Sequence, residues 1–373
     1  MELVATCLFG LEKLVGEQID ALGYKRLSTI DGRVCFEGDA LAVARCNINF
    51  RYAERLFIKL GEFKATTFTE LFDGVYALPW ESFIGARDAF PVSGHSVKSR
   101  LFSIPDCQKI VKKAIVKRLG DKYGIKWFEE TGVCYSVEFF ILNDLAWLMI
   151  DTSGVALHKR GYRLKAGGAP LRETLAAALA AMSRPRDNVL FCDPFCGSGT
   201  IPIEAAMLMK NIAPGLKRDF VSKGFPLVDK RLWDMARDEA KSLIKADCDF
   251  RASASDIDPD CVELARQNAL RAGVSEVVSL SCRDALTLRT EGKRGSIITN
   301  PPYGERLGTI NEAEELYKKM GRHFATLDSW QIYVITSCED FQRLYGRRAD
   351  KVRKLYNGMI KCNFYQYFKK FDK

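Results

Sequence analysis

Four short strings in the second half of the chain carry residue types that bind ligands and react. The first is Asp193-Pro194-Phe195-Cys196-Gly197-Ser198-Gly199-Thr200, between an apolar run ending at Asp193 and a helical pattern through Met209. Strand, glycine-rich turn and helix in that order present bare backbone to a ligand at the carboxyl end of a sheet. The loop lacks the Gly-Lys-Ser/Thr of a phosphate-gripping P-loop. It also departs from the Gly-x-Gly-x-x-Gly fingerprint, since Ile201-Pro202 follow. The second string, Ser255-Asp256-Ile257-Asp258-Pro259, places Asp256 just past a strand, where a carboxylate accepts hydrogen bonds from ribose hydroxyls; Asp258 reads as a helix cap. The third, Cys282-Arg283-Asp284-Ala285, offers an acid for an exocyclic amine and the Ala285 N–H for a ring nitrogen. In the fourth, Asn300-Pro301-Pro302-Tyr303, two prolines stiffen the backbone. The Asn300 carboxamide oxygen and the Pro301 carbonyl then become two fixed acceptors for a planar NH₂, and Tyr303 supplies a ring for stacking. Taken singly, each has a plain alternative: a tight turn, a helix cap, an exposed loop acid, a proline turn.

These strings meet only if parallel strands carry them. From residue 188 onward the pattern alternates: strands at 189–193, 251–255, 277–281, 296–299 and 331–336, with helices at 200–209, 259–272 and 312–325. That alternation predicts βαβ units and a mainly parallel sheet. Two basic stretches, 352–356 and 360–368, read as a hairpin through Asn357-Gly358 that adds an antiparallel edge strand. Asp256 lies 57 residues past Gly199, against about 20 in a plain dinucleotide fold, so 210–249 reads as an insertion with its own helix at 232–245.

The first sixty residues read as a small α+β unit with a helix at 11–22. Residues 66–150 predict a helix at 69–77, a strand near 90–93, and a basic helix with the apolar stripe Ile110, Ala114, Val116 and Leu119. Strands at 135–141 and 145–152 follow, joined by Asn143-Asp144. The stretch 165–170 is the joint between the halves.

The 373 residues suffice for two or three domains. The composition, 47% hydrophobic and 28% charged, excludes a disordered chain. No apolar stretch is long enough to span a bilayer and the start lacks a basic leader, so the expected location is cytoplasmic. Twelve scattered cysteines and three distant histidines (His95, His158, His323) argue against a disulfide scaffold or a metal site, and none is expected. The net charge of +9 is unevenly placed: segments 98–126, 157–172 and 342–373 carry +7, +5 and +8, leaving about −11 elsewhere. This segregation is expected of a phosphate-contacting surface, with the three segments converging on one path to Asn300. Solvated helix faces are the alternative.

The ordered strings resemble the class I S-adenosylmethionine-dependent methyltransferases of the amino-methylating type, over roughly 165–373. The runs Asp193 to Ala206 and Asn300 to Leu307 are similar to the N2-guanine RNA methyltransferases with an N-terminal THUMP domain. So are Asp151 to Gly154, Leu157 to Arg163 and Ala169 to Leu175. The resemblance implies an α/β fold: a Rossmann-like methyltransferase domain at 165–373 preceded by a ferredoxin-like segment at 1–65 and a THUMP domain at 66–164. It implies S-adenosylmethionine as cofactor, S-adenosylhomocysteine as product, and RNA as partner, with 23S ribosomal RNA or an assembly intermediate foremost. tRNA guanine-N2 and DNA adenine-N6 methylation are the alternatives. Because the chain stops at residue 373, it is expected to be a stand-alone N2 enzyme.

The expected cofactor residues are 193–200, Asp256, Ile257, Asp284, Ala285, Asn300, and Arg172, Glu173 and Thr174. Asn300, Pro301, Pro302 and Tyr303 are the expected catalytic residues. Lys98, Arg100, Lys112, Lys113, Lys117, Lys159, Arg160 and Arg163 are the expected RNA contacts. The amine donates to Asn300 and Pro301, which aim its nitrogen at a sulfonium methyl; no metal or dedicated base is implied.

Overall fold

The computed structural model describes residues 1–163, 171–303, 310–327 and 329–369. The expected joint at 165–170 and the end of the fourth motif string, Gly304 to Leu307, lie outside the described residues.

Two seven-stranded sheets organise the chain. The first is built from β1 (Glu2–Cys7), α1 (Glu12–Ala21), β2 (Arg26–Ile30), β3 (Arg33–Glu37), α2 (Ala40–Asn49), β4 (Ala53–Lys64), α3 (Phe68–Ala77), β5 (Val92–Val97), α4 (Ile104–Tyr123), β6 (Val137–Leu142) and β7 (Leu145–Asp151). Its strand order is β2-β3-β1-β4-β7-β6-β5. The sheet does not break near residue 65. The first half of β4 pairs with β1 and its second half with β7, so the two N-terminal modules share one ladder. Asn143 and Asp144 adopt left-handed φ of 51° and 65°, as a two-residue hairpin turn requires.

In α4 the buried face is Cys107, Val111, Ala114, Ile115 and Leu119. Of the expected stripe, Ala114 and Leu119 are on this face, while Ile110 and Val116 sit at its borders, half-buried. Helix α2 was not anticipated, although Asp39 caps it by accepting from the Ala42 N–H at 2.8 Å and most of its residues are buried.

The second sheet uses α5 (Glu173–Ser183), β8 (Leu190–Asp193), α6 (Thr200–Met209), α7 (Lys230–Ser242), β9 (Ala252–Asp256), α8 (Pro259–Ala272), β10 (Val278–Cys282), β11 (Gly295–Thr299), α9 (Ile310–Phe324), β12 (Trp330–Thr336), α10 (Phe341–Tyr345), β13 (Lys351–Asn357) and β14 (Ile360–Tyr367). The order is β10-β9-β8-β11-β12-β14-β13. The first five strands are parallel. The expected hairpin closes one end; β14 is the reversed strand, second from the edge, and β13 forms the edge itself. Chain direction across the sheet changes between β8 and β11, which makes that pair the switch point where ligands bind in open α/β sheets.

Residues 210–249 dock the two sheets. The Arg45 guanidinium of α2 makes a two-pronged pair with Glu239 of α7, at 2.7 and 2.6 Å. The Gly215 N–H donates to the Ile48 carbonyl at 2.8 Å, and a Cβ at Gly215 would lie 2.6 Å from the Ile48 backbone. Phe220 stacks on buried Trp233, and Phe225 stacks on Tyr135 of the N-terminal half.

Candidate active site

The loop after β8 is held in place from three sides. Asp193, 1% exposed, accepts from the Thr299 hydroxyl at 2.6 Å and from the Phe195 N–H at 3.3 Å. Burial is the main reason its carboxyl is pushed up to about 7; the two hydrogen bonds oppose that rise, and the Asp256 charge adds to it. From β9, the Ser255 carbonyl accepts from the Cys196 N–H, and the Asp256 carboxylate accepts from the Gly197 N–H, both at 2.9 Å. From α8, the buried Asn268 carboxamide donates to the Ser198 carbonyl at 3.0 Å.

The two loop glycines have different physical reasons. Both have positive φ, 50° at Gly197 and 79° at Gly199. A Cβ at Gly197 would meet open space, which leaves that backbone bare for a ligand. A Cβ at Gly199 would sit 3.0 Å from the Ala265 Cβ, so this glycine also answers to helix packing. Thr200 opens α6, and its hydroxyl accepts from Arg163 at 3.1 Å.

Around this loop the other strings fall as strand topology requires. The other Asp256 oxygen accepts from the Asp258 N–H at 3.1 Å, and Asp258 caps α8 as expected. Ile257 is 71% exposed, an apolar side chain standing in solvent beside the loop. Asp284 is exposed and accepts from the Leu286 N–H at 2.9 Å; Ala285 beneath it is buried. Asn300 leaves β11 directly after Thr299, the residue bonded to Asp193, so the fourth string is tied to the first. Pro301 is buried; Asn300, Pro302 and Tyr303 are half-buried. The Pro302 carbonyl accepts from the Tyr317 hydroxyl at 3.1 Å, and Tyr317 also contacts the Thr336 hydroxyl at 3.2 Å. Phe195 and Tyr303 pack against the same apolar cluster.

Several expected contacts are placed elsewhere. Arg160 is 3% exposed: it donates to the backbone carbonyls of Phe50, Arg51 and Leu157 and approaches Glu204. Arg163 is turned inward onto Glu173 at 2.9 Å. Neither guanidinium is available to RNA phosphate. Arg172 and Thr174 both donate to Glu54 of β4, which also holds His158 Nδ1 at 2.8 Å, and Glu173 is buried. These contacts hold the start of α5 against β4. Of the described basic residues at 157–172 only Lys159 is fully exposed, so the middle positive segment is not a solvent-facing strip, and the expected convergence of three segments loses that member. Lys112 is partly committed to Glu130 at 2.6 Å and to the Phe90 carbonyl and ring. Lys98, Arg100, Lys113 and Lys117 are exposed.

Sequence reasoning missed Thr299, Asn268 and Tyr317. Thr299 could have been read as the residue entering Asn-Pro-Pro; a buried Tyr in the middle of a helix left no such signal.

Comparison with known proteins adds the family. Residues 160–366 match the RMKL-like methyltransferase domain (UPF0020). The chain belongs to the RMKL-like methyltransferase family. Residues 2–57 match the RlmL ferredoxin-like domain and 65–151 the THUMP domain. The methyltransferase is 47% identical over 370 residues to YpsC of Bacillus subtilis (strain 168), an RNA methyltransferase by provisional name, covering 99% of this chain and 96% of YpsC. It is 34% identical over 366 residues to the ribosomal RNA large subunit methyltransferase K/L of Psychromonas ingrahamii, covering 95% of this chain and 48% of that protein; it spans about half the length of such K/L relatives. Among solved structures, SMU.472, crystallised with SAH, superposes with a TM-score of 0.91 at 42% identity, covering 100% of this chain and 99% of that one. A protein described as a predicted N6-adenine-specific DNA methylase from Listeria monocytogenes str. 4b F2365 gives 0.92 at 46%, covering 98% and 96%. No described helix is long and apolar enough to cross a membrane.

The cofactor is S-adenosylmethionine, and the donor set fits it. The site offers bare backbone at Gly197, a carboxylate at the end of β9, an exposed apolar side chain at Ile257, and an acid with a backbone N–H at Asp284–Ala285.

Proposed function

We propose that this methyltransferase modifies the exocyclic N2 amine of a guanine in large-subunit ribosomal RNA. The observation that carries the reading is the Asn-Pro-Pro-Tyr turn at the switch point, tied through Thr299 to Asp193 beneath the glycine loop. The Tyr317–Pro302 bond occupies the second proline's carbonyl. That leaves the Asn300 carboxamide oxygen and the Pro301 carbonyl to accept the two hydrogens of the amine.

S-adenosylmethionine, when bound, supplies an electrophilic sulfonium methyl. The backbone at 195–199 and the carboxylate of Asp256 hold it, with Asp284, Ala285 and Ile257 around its base. Asn300 and Pro301 orient the amine nitrogen, whose lone pair is otherwise delocalised into the purine. Their partial negative charges favour the ammonium-like character that grows on the nitrogen as it gains a methyl, and its proton leaves afterwards to solvent. The Tyr303 ring stacks on the base. A base taken from structured RNA is flipped out at a cost of a few kcal/mol. Exposed Lys98, Arg100, Lys113 and Lys117, with Lys112 and Lys159, hold flanking phosphates. In this reading the chain divides into 1–65, 66–164 and 165–373. The RNA reading rests on the THUMP match and the K/L relatives.

Asn300→Ala is expected to abolish transfer while leaving S-adenosylmethionine affinity within a few-fold by calorimetry. An active variant overturns the mechanism. Labelled methyl should appear in 23S ribosomal RNA as N2-methylguanine by nucleoside mass spectrometry. Label found only in DNA, tRNA or protein overturns the substrate assignment.

A further inference from the structure

A cavity flanked by described residues lies at the opposite end of the catalytic sheet from the glycine loop. It measures about 520 Å³ and is bounded by α1, the end of α5, the starts of β8 and β11, and the β13–β14 pair. Strands of five residues rising about 3.3 Å each put it roughly 17 Å from the Asn300 turn.

Its wall is strongly cationic. Arg184 and Arg186 come from the segment after α5, Lys351 and Arg353 from one side of β13, and Lys13 from α1. Glu17 is the one carboxylate among the lining residues, and Lys13 lies 3.6 Å from it. Arg184, Arg186 and Lys351 are exposed and Arg353 is half-buried, and no carboxylate lies within pairing distance of any of the four among the described residues. Arg184 alone has a structural explanation, since a cation after a helix C-terminus favours the helix dipole. The cations brought in by β13 have none. Two buried donors add to this. Gln366, 4% exposed, lines the cavity with its Nε2 lacking any hydrogen-bond partner, and Arg353 Nε is buried without one. Crowded like charges beside unmet donors describe a surface complementary to an anion with several oxygens.

We infer that this cleft is a phosphate-binding site, separate from the methyl-transfer site, that grips the backbone of the substrate RNA where it passes the β13 edge. The RNA source rests on the function proposed above; the anion chemistry does not. A free phosphate compound shares that chemistry, so the test separates the two.

The experiment uses the full chain. The variant Arg184→Gln/Arg353→Gln removes two cations while keeping side-chain length; Lys351→Ala, on an exposed position, is a second variant whose folding is not at issue. Unchanged S-adenosylmethionine affinity serves as the fold control. For a large-subunit ribosomal RNA fragment, the double variant should raise KM roughly tenfold at 0.1 M salt with kcat unchanged. It should also lower the slope of log affinity against log salt by about 1.5, from two lost phosphate contacts. Lys351→Ala should lower the slope by about 0.7. In parallel, inorganic triphosphate is titrated in a thermal-shift assay. Stabilisation of the wild type but not of the double variant supports the site without any nucleic acid, so it survives a failure of the RNA reading. If triphosphate binds and the RNA parameters do not move, the cleft belongs to a free phosphate compound. Wild-type values for both variants in both assays overturn the proposal.

Discussion

Two arginine- and lysine-rich stretches of similar composition end in opposite environments. Between 98 and 126 the basic side chains ride on and before α4, and Lys98, Arg100, Lys113 and Lys117 face solvent. Between 157 and 172 they turn inward: Arg160 onto three backbone carbonyls, Arg163 onto Glu173 and Thr200, Arg172 onto Glu54. The first set leaves its charge available to a polyanion. In the second, the charge is consumed where β4, α5 and α6 meet. Charge counts along a chain therefore measure potential for nucleic-acid binding only after burial has been subtracted.

That contrast is most easily broken at Arg160. Arg160→Met should destabilise the protein by about 3–5 kcal/mol, because Glu204, fully buried, loses its cation. The expected drop in melting temperature is roughly 4–6 °C by calorimetry. A variant that melts like wild type but binds RNA weakly would return Arg160 to the RNA surface.

A buried carboxyl offers a second, smaller test of inward charge. Asp193 is held up near 7, well above the ordinary 3.8. Its protonated form is therefore favoured in the fold. Its contribution is fully present below about pH 4 and is lost as pH rises through 7, by up to about 1.4 kcal/mol per unit. Denaturant titrations of the cofactor-free protein from pH 4 to 8 should show this decline, and Asp193→Asn should flatten it. An identical pH slope in the variant would remove Asp193 as its source.

The outward set should show the reverse signature. Neutralising Lys113 and Lys117 to Gln should leave stability almost unchanged, because exposed pairs such as Lys117–Asp121 contribute little. It should lower the salt slope of RNA binding by roughly 1.5 to 2. An unchanged slope assigns α4 to plain solvation.

What could be read in advance follows the same division. Strand–helix alternation, the Asn143-Asp144 turn and the Asp258 cap depend on neighbours in sequence, and the structure has them where expected. The four strings converge because strand order, once the alternation is recognised, leaves few choices. The fate of Arg160 depends on carbonyls at 50 and 51 and a carboxylate at 204, which no local pattern carries. Half of the α4 stripe was legible, Ala114 and Leu119; Ile110 and Val116 missed because they are apolar without being on the buried face. The packing constraint on Gly199 was not legible either: it comes from Ala265, more than sixty residues away. The unbroken first sheet escaped notice because β4 serves two modules at once, and its sequence gives no sign of where one ends.

That shared strand limits how the protein can be taken apart. Family comparison separates residues 2–57 from 65–151, but cutting between them divides a twelve-residue strand whose positions 57 and 58 pair on both sides. Residues 65–151 alone would bare the β7 edge from Leu145 to Asp151, a row of unmet N–H and C=O groups that invites pairing with another molecule. Family comparison separates the pieces; mechanically the first 151 residues are a single plate, and swapping one part means swapping both.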